Sequence, residues 1–200
     1  MSNETTNKPT TPRSEFFWNL TLGFLVSALS VLTATANYMA YQSSNTASDL
    51  EAEGDRMLAD ANTGYIQANQ YIILDYSMFD GEYIQRGVDD FTADYYKGNF
   101  STELQASIDR GSAFDDQYYS EMYSYADQSF EDSFARFDAA NAESEREAGF
   151  QLAMLIASVG LAFAAYASLL NHSNVLRTVF TVLSFILLAL GAIQFISRLA

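Results

Sequence analysis

AESEREAGFQLAMLIASVGLAFAAYASLL, from Ala142 to Leu170, passes from closely spaced charges into 23 uncharged residues without meeting a proline. A bilayer core is crossed by about 20 mostly apolar residues in helical form. With no water there to satisfy backbone groups, an isolated span must be a helix. Only Gly149 weakens the junction, so one long helix is predicted to run from the charged stretch into the apolar one. Upstream, Phe114, Tyr118, Met122, Tyr125, Phe130, Phe134, Phe137 and Asn141 recur at helical spacing. Ser112-Ala113-Phe114-Asp115 has the Ser-x-x-Asp spacing of a capping box. The predicted helix is thus ~55 residues, about 80 Å at 1.5 Å per residue.

Two more runs have spanning length. Phe16–Tyr41 opens an uncharged stretch that reaches Ser48, and Thr178–Ser197 follows a short turn at Asn171–Arg177. The expected organisation is a disordered polar tail at 1–15 and a first span at 16–41. An acidic helical domain at 42–148 leads to a second span at 149–170, a turn at 171–177 and a third span at 178–197. Ala34-Thr35-Ala36 resembles a small-residue cleavage site, but the run is long for a signal peptide and reads as an uncleaved anchor. The fold class is therefore all-α: a three-span membrane protein with a long-helix, coiled-coil or bundle-like extramembrane domain.

Between Gln42 and Ala148 lie 23 of the 25 acidic residues against six basic ones, a net −17 in a chain of net −15. That surface repels nucleic acid and anionic headgroups and attracts cations and basic partners. Lysine occurs only at Lys8 and Lys97, a bias that also suits a halophilic source, where salt screens mutual repulsion. With no cysteine, thiol chemistry and disulfides are excluded.

Within the acidic segment, apolar or small residues recur from Leu50 through Gly54, Met57, Ala61, Tyr65, Ala68, Ile72, Tyr76, Phe79 and Tyr83, one face of a helix that continues the first span. Gly81 and Gly87 weaken it, and Lys97-Gly98-Asn99 reads as its stop. A short helix is expected over Thr102–Arg110. The many tyrosines read as core with hydroxyls at its edge. Asn62 and Asn69 either fix register between helices or are simply solvated.

Small residues mark two candidate packing faces: Gly23, Ser27, Ser30 and Ala34 in the first span, and Ala153, Ala157, Gly160, Ala164 and Ala167 in the second. In lipid, helices associate by close backbone approach, which small residues permit. The partner of each is either another span of the chain or a second copy.

Sites for chemistry are sparse. His172, the only histidine, lacks nearby triad or metal partners. Asp89-Asp90 and Asp115-Asp116 match no calcium-loop spacing, no phosphate loop occurs, and no ionisable residue is expected inside a span. No catalytic, cofactor or metal site is predicted. Asn99-Phe100-Ser101 is a possible glycosylation acceptor at a turn. Lys8, Arg13 and Arg177 on one side, with the acidic domain opposite, place that domain at the cell exterior.

Ala61-Asn62, Tyr65, Gln67-Ala68-Asn69-Gln70-Tyr71 and Asp75-Tyr76, then Ala139–Glu147 entering the second span and Leu176-Arg177 before the third, resemble an uncharacterised family of prokaryotic three-span membrane proteins. The Pro/Phe-rich insertion common in that family before the last exterior helix is missing here. The resemblance implies architecture and supplies no catalytic residue. The expected function is a non-enzymatic structural or accessory membrane subunit, a homo-oligomer or part of a larger complex. The alternative is a cation-conducting or gating oligomer with an acidic vestibule.

Overall fold

In the computed structural model, residues 13–170 and 175–199 are described. Met1–Pro12 of the expected tail lies outside them, as does the Asn171–Asn174 turn with His172. The described residues form five helices and no strand: α1 (Arg13–Gln85), α2 (Asp90–Lys97), α3 (Thr102–Asp109), α4 (Asp116–Leu169) and α5 (Val175–Ile196). Three of them, α1, α4 and α5, are long and apolar enough to cross a membrane. At 73 and 54 residues, α1 and α4 are far longer than ordinary globular helices of roughly 11–12 residues.

Several boundaries differ from the sequence expectation. The helix begins at Arg13, so 13–15 do not belong to a disordered tail. It ends at Gln85, well before Lys97-Gly98-Asn99, because Gly87 takes φ +78° and turns the chain. That left-handed conformation is open to glycine at little cost. The cap of α4 is Asp115, whose carboxylate accepts the Tyr118 N–H at 2.7 Å; the carbonyl of Ser112 instead accepts the Ser107 hydroxyl. The third long helix starts at Val175, so Arg177 lies on it rather than in the turn. No proline or glycine between Val175 and Arg177 delays helix formation.

The chain divides into two compact units, 1–47 with 141–200, and 48–140. The first packs parts of α1 and α4 with α5. Its core holds Leu22, Leu25, Leu29, Ala157, Ala164 and Ala167, flanked by Val26, Leu32, Leu161, Phe180 and Leu188.

In the second unit, α1 and α4 run antiparallel: Gly54 lies under the Phe137 ring and Gly64 against Ala126. The buried positions on α1 include Ala61, Ala68, Asp75 and Glu82, one every seven residues, and α4 answers with Ala126, Ser133 and Ala140. Seven-residue spacing is that of a supercoiled seam. The expected face is buried at Gly54, Ala61, Ala68 and Ile72, and at Tyr118 on α4, but is corrected at four of its rings. Tyr76, Tyr83, Tyr125 and Phe134 flank the seam and stay exposed, while small residues occupy its centre. At Gly64 the two backbones approach closely, a Cβ there standing 3.4 Å from Ala126 Cα, and at Gly54 the Phe137 ring fills the space. Near the α2 end the core is Ile72, Leu104 and Tyr118, with Phe79, Phe100, Ile108, Phe114 and Met122 around them.

Candidate functional site

The two small-residue faces have different fates. Ala153, Ala157, Ala164 and Ala167 are fully buried within the chain. A Cβ added at Gly160 would lie 3.0 Å from a Leu29 methyl and 3.1 Å from Leu187 Cβ. This face is occupied by α1 and α5. Gly23, Ser27, Ser30 and Ala34 are all exposed, and nothing stands within 4 Å of a Cβ built on Gly23. Ser27 also lines an apolar groove of about 530 Å³ between α1 and α5, with Phe24, Val31, Leu188 and Phe195.

At one end of this unit, Arg177 is 6% exposed. Its Nη2 donates to Asn19 Oδ1 at 2.9 Å, and its guanidinium lies 5.7 Å from the centroid of the Trp18 ring. Its Nε has no hydrogen-bond partner. No ionisable residue is expected inside the span 178–197, and Arg177 lies just before it, in the first turn of α5. A long side chain near a helix end can snorkel to the interface, and this one instead ties α5 to α1.

The second unit is organised by a group that the sequence reading passed over. Asp75 is 2% exposed on α1. Its Oδ1 accepts the Ser101 N–H at 2.9 Å, and its Oδ2 accepts the hydroxyls of Ser101 and, at 2.8 Å, Tyr118. The Ser101 hydroxyl in turn accepts the Leu104 N–H at 3.0 Å and caps α3. One carboxylate thus joins α1, the start of α3 and the first turn of α4. Burial, and then the hydrogen bond to Asp75, raise the Tyr118 phenol above its ordinary range. The hydroxyls of Tyr76 and Tyr119 bond to each other, which pushes Tyr119 up to about 12. Tyr65 donates to Asp127, and Tyr123 donates to Asn69 at 2.8 Å. Asn69 therefore meets the opposite helix, although it and Asn62 are both exposed.

The acidic pairs have local uses. Asp89 accepts the N–H of Thr92 at 3.3 Å and its hydroxyl at 2.7 Å, capping α2; Asp90 accepts the Gly87 N–H at 3.1 Å. Arg110 grips Asp115 with two bonds of 2.8 Å and holds its carboxyl well below the usual range. Among the described residues no group of three metal-ligating side chains converges. Asn99 is exposed, its amide donating to the Tyr95 carbonyl at 2.7 Å, but the hydroxyl of its acceptor triplet is the one held by Asp75.

The seven-residue spacing of Ala61, Ala68, Asp75 and Glu82 was the sequence signal for this node. It is masked because Tyr76 and Tyr83 offer larger apolar side chains one position on. No protein-family model, curated protein or solved structure matches this chain.

Proposed function

We propose that this chain is a non-enzymatic, multi-pass membrane subunit that assembles through the exposed small-residue face of α1, with the acidic second unit outside the cell membrane. The observation that carries the reading is the contrast between the two faces. The stripe on α4 is spent on the chain's own core, whereas Gly23, Ser27, Ser30 and Ala34 are exposed among the described residues, and Ser27 lines an apolar groove. In lipid, a smooth helix face of this kind gains dispersion contacts from a second helix that acyl chains match poorly. The occupant we favour is α1 of a second copy.

The test is cross-linking in native membranes and particle mass in mild detergent. Ser27→Leu and Gly23→Leu should lower the assembly state, and Leu155→Ile, on an exposed face of α4, should not. A parent that is monomeric under both conditions overturns self-assembly. For orientation, single cysteines at Ser44 and Ser173 are probed with an impermeant reagent in intact cells. Labelling at Ser44 alone is expected, and labelling at Ser173 alone reverses the topology.

A further inference from the structure

The strongest unassigned surface lies where α1 ends and α2 folds back. The Tyr96 ring occupies the space beside Gly81, 2.8 Å from where a Cβ would stand, and Ala93 is buried. These contacts fix α2 by Ala93 and Tyr96 and leave Phe91 and Tyr95 outward. Phe91 is 86% exposed and Val88 81%, and Tyr83, Ile84 and Tyr95, within the same stretch of chain, are exposed as well. An eight-residue helix that buries an alanine and presents phenylalanine and tyrosine to solvent runs against the usual economy of burial. Exposed large apolar side chains gathered on one short stretch of chain mark interaction surfaces.

The surface is also held in shape. Asp89 caps α2 through Thr92, and Asp90 ties down Gly87. Docking would therefore cost little ordering of the backbone.

Charge selects among occupants. Asp80, Asp89, Asp90 and Asp94 are exposed around the apolar residues. Arg86 is held by Glu82 at 2.7 Å, which leaves Lys97 as the one cation without an ion pair in residues 80–97. A second copy would bring the same carboxylates, and an anionic lipid surface would bring more negative charge; both are opposed.

We infer that this face docks another protein, one that presents an apolar patch rimmed by Lys and Arg. The inference goes beyond span assembly and stands if that assembly fails.

The probe is a fluorescent helical peptide with a leucine face flanked by lysines. Its companion has the same lysines with glutamine in place of leucine. Anisotropy is measured against the full chain in nanodiscs of zwitterionic lipid, with empty discs subtracted. Burial of the exposed rings and Val88 predicts that the leucine peptide binds roughly tenfold or more tighter than the glutamine peptide. Val88→Ser combined with Phe91→Ser should remove that advantage, and Ile66→Ser, at an exposed site elsewhere on α1, should keep it. Tyr95→Ser serves as an independent variant, and unchanged helical circular dichroism confirms that each folds. Equal binding of the two peptides, or a Val88/Phe91 variant that binds like the parent, overturns the inference in favour of diffuse charge attraction. It is equally overturned if the Val88/Phe91 variant lowers the particle mass of the chain alone, which marks a self-interface. Phe91-dependent flotation of the parent with lipid vesicles would mark a membrane-facing patch and sink it too.

Discussion

Replacing Asp75 by alanine removes the one acceptor shared by three elements. The Ser101 N–H and the Tyr118 hydroxyl then lose their partner in a buried site, and each unsatisfied donor costs about 1–3 kcal/mol. The Ser101 hydroxyl also loses its acceptor but keeps the Leu104 N–H. The expected destabilisation is about 2–6 kcal/mol. Tyr118→Phe deletes one donor and leaves Asp75 bonded to Ser101, so it should cost less, about 1–3 kcal/mol. Because the two residues share a bond, the double variant should fall short of the sum. The assay is denaturant unfolding of the full chain in mild detergent, followed by helical circular dichroism, with amide exchange at Leu104 as the local reporter. Asp80→Ala, at an exposed carboxylate, should stay within about 0.5 kcal/mol of the parent. If Asp75→Ala unfolds like Asp80→Ala and Leu104 keeps its protection, the carboxylate is a bystander and the reasoning fails.

Gly160→Leu must displace Leu29 and Leu187, an overpacking that should cost roughly 1–3 kcal/mol and loosen cross-links between α1 and α4. Wild-type cross-linking there would refute the packing account. For the acidic second unit, the Debye length grows from about 3 Å at 1 M to about 10 Å at 0.1 M salt, so the full chain should melt at lower temperature in dilute buffer. A melting temperature that does not fall removes the halophilic reading. At alkaline pH, the fold holds Tyr119 as the neutral phenol. Its contribution is complete below pH 10 and is lost as pH rises through about 12. Tyr76→Phe should let Tyr119 ionise earlier in an ultraviolet titration, and an unchanged curve would discount the paired hydroxyls.

The long helices were legible because their interiors contain nothing that stops a helix. From Asp116 to Leu169 there is no proline, and the two glycines stand where a helix is already propagating. The end of α1 was harder to read, since Gly87 looks like a weakness in a periodic pattern until its backbone angle is known. Ala61 and Ala68 were read on the packing face, but the rings beside them were misread for a physical reason. Counting apolar residues favours the bulky ones, whereas closely approaching helices put their smallest residues at the centre and their rings at the flanks. Arg177 escaped notice because a charged residue after a polar turn reads as part of that turn. Asp75 escaped because a buried carboxylate is recognised by its donors, and Ser101 and Tyr118 lie 26 and 43 residues away.

The bond from Ser101 to Asp75 sets an order of events in time. The same hydroxyl completes the Asn99-Phe100-Ser101 acceptor and, once folded, both donates to Asp75 and accepts from Leu104. Asp75 precedes it in the chain, but Tyr118 and α4, which close the node, are synthesised afterwards. An enzyme that recognises this triplet therefore has a window that opens when Ser101 emerges and closes when α4 docks. Any modification at Asn99 would belong to the growing chain, before the Ser101 hydroxyl is held by Asp75.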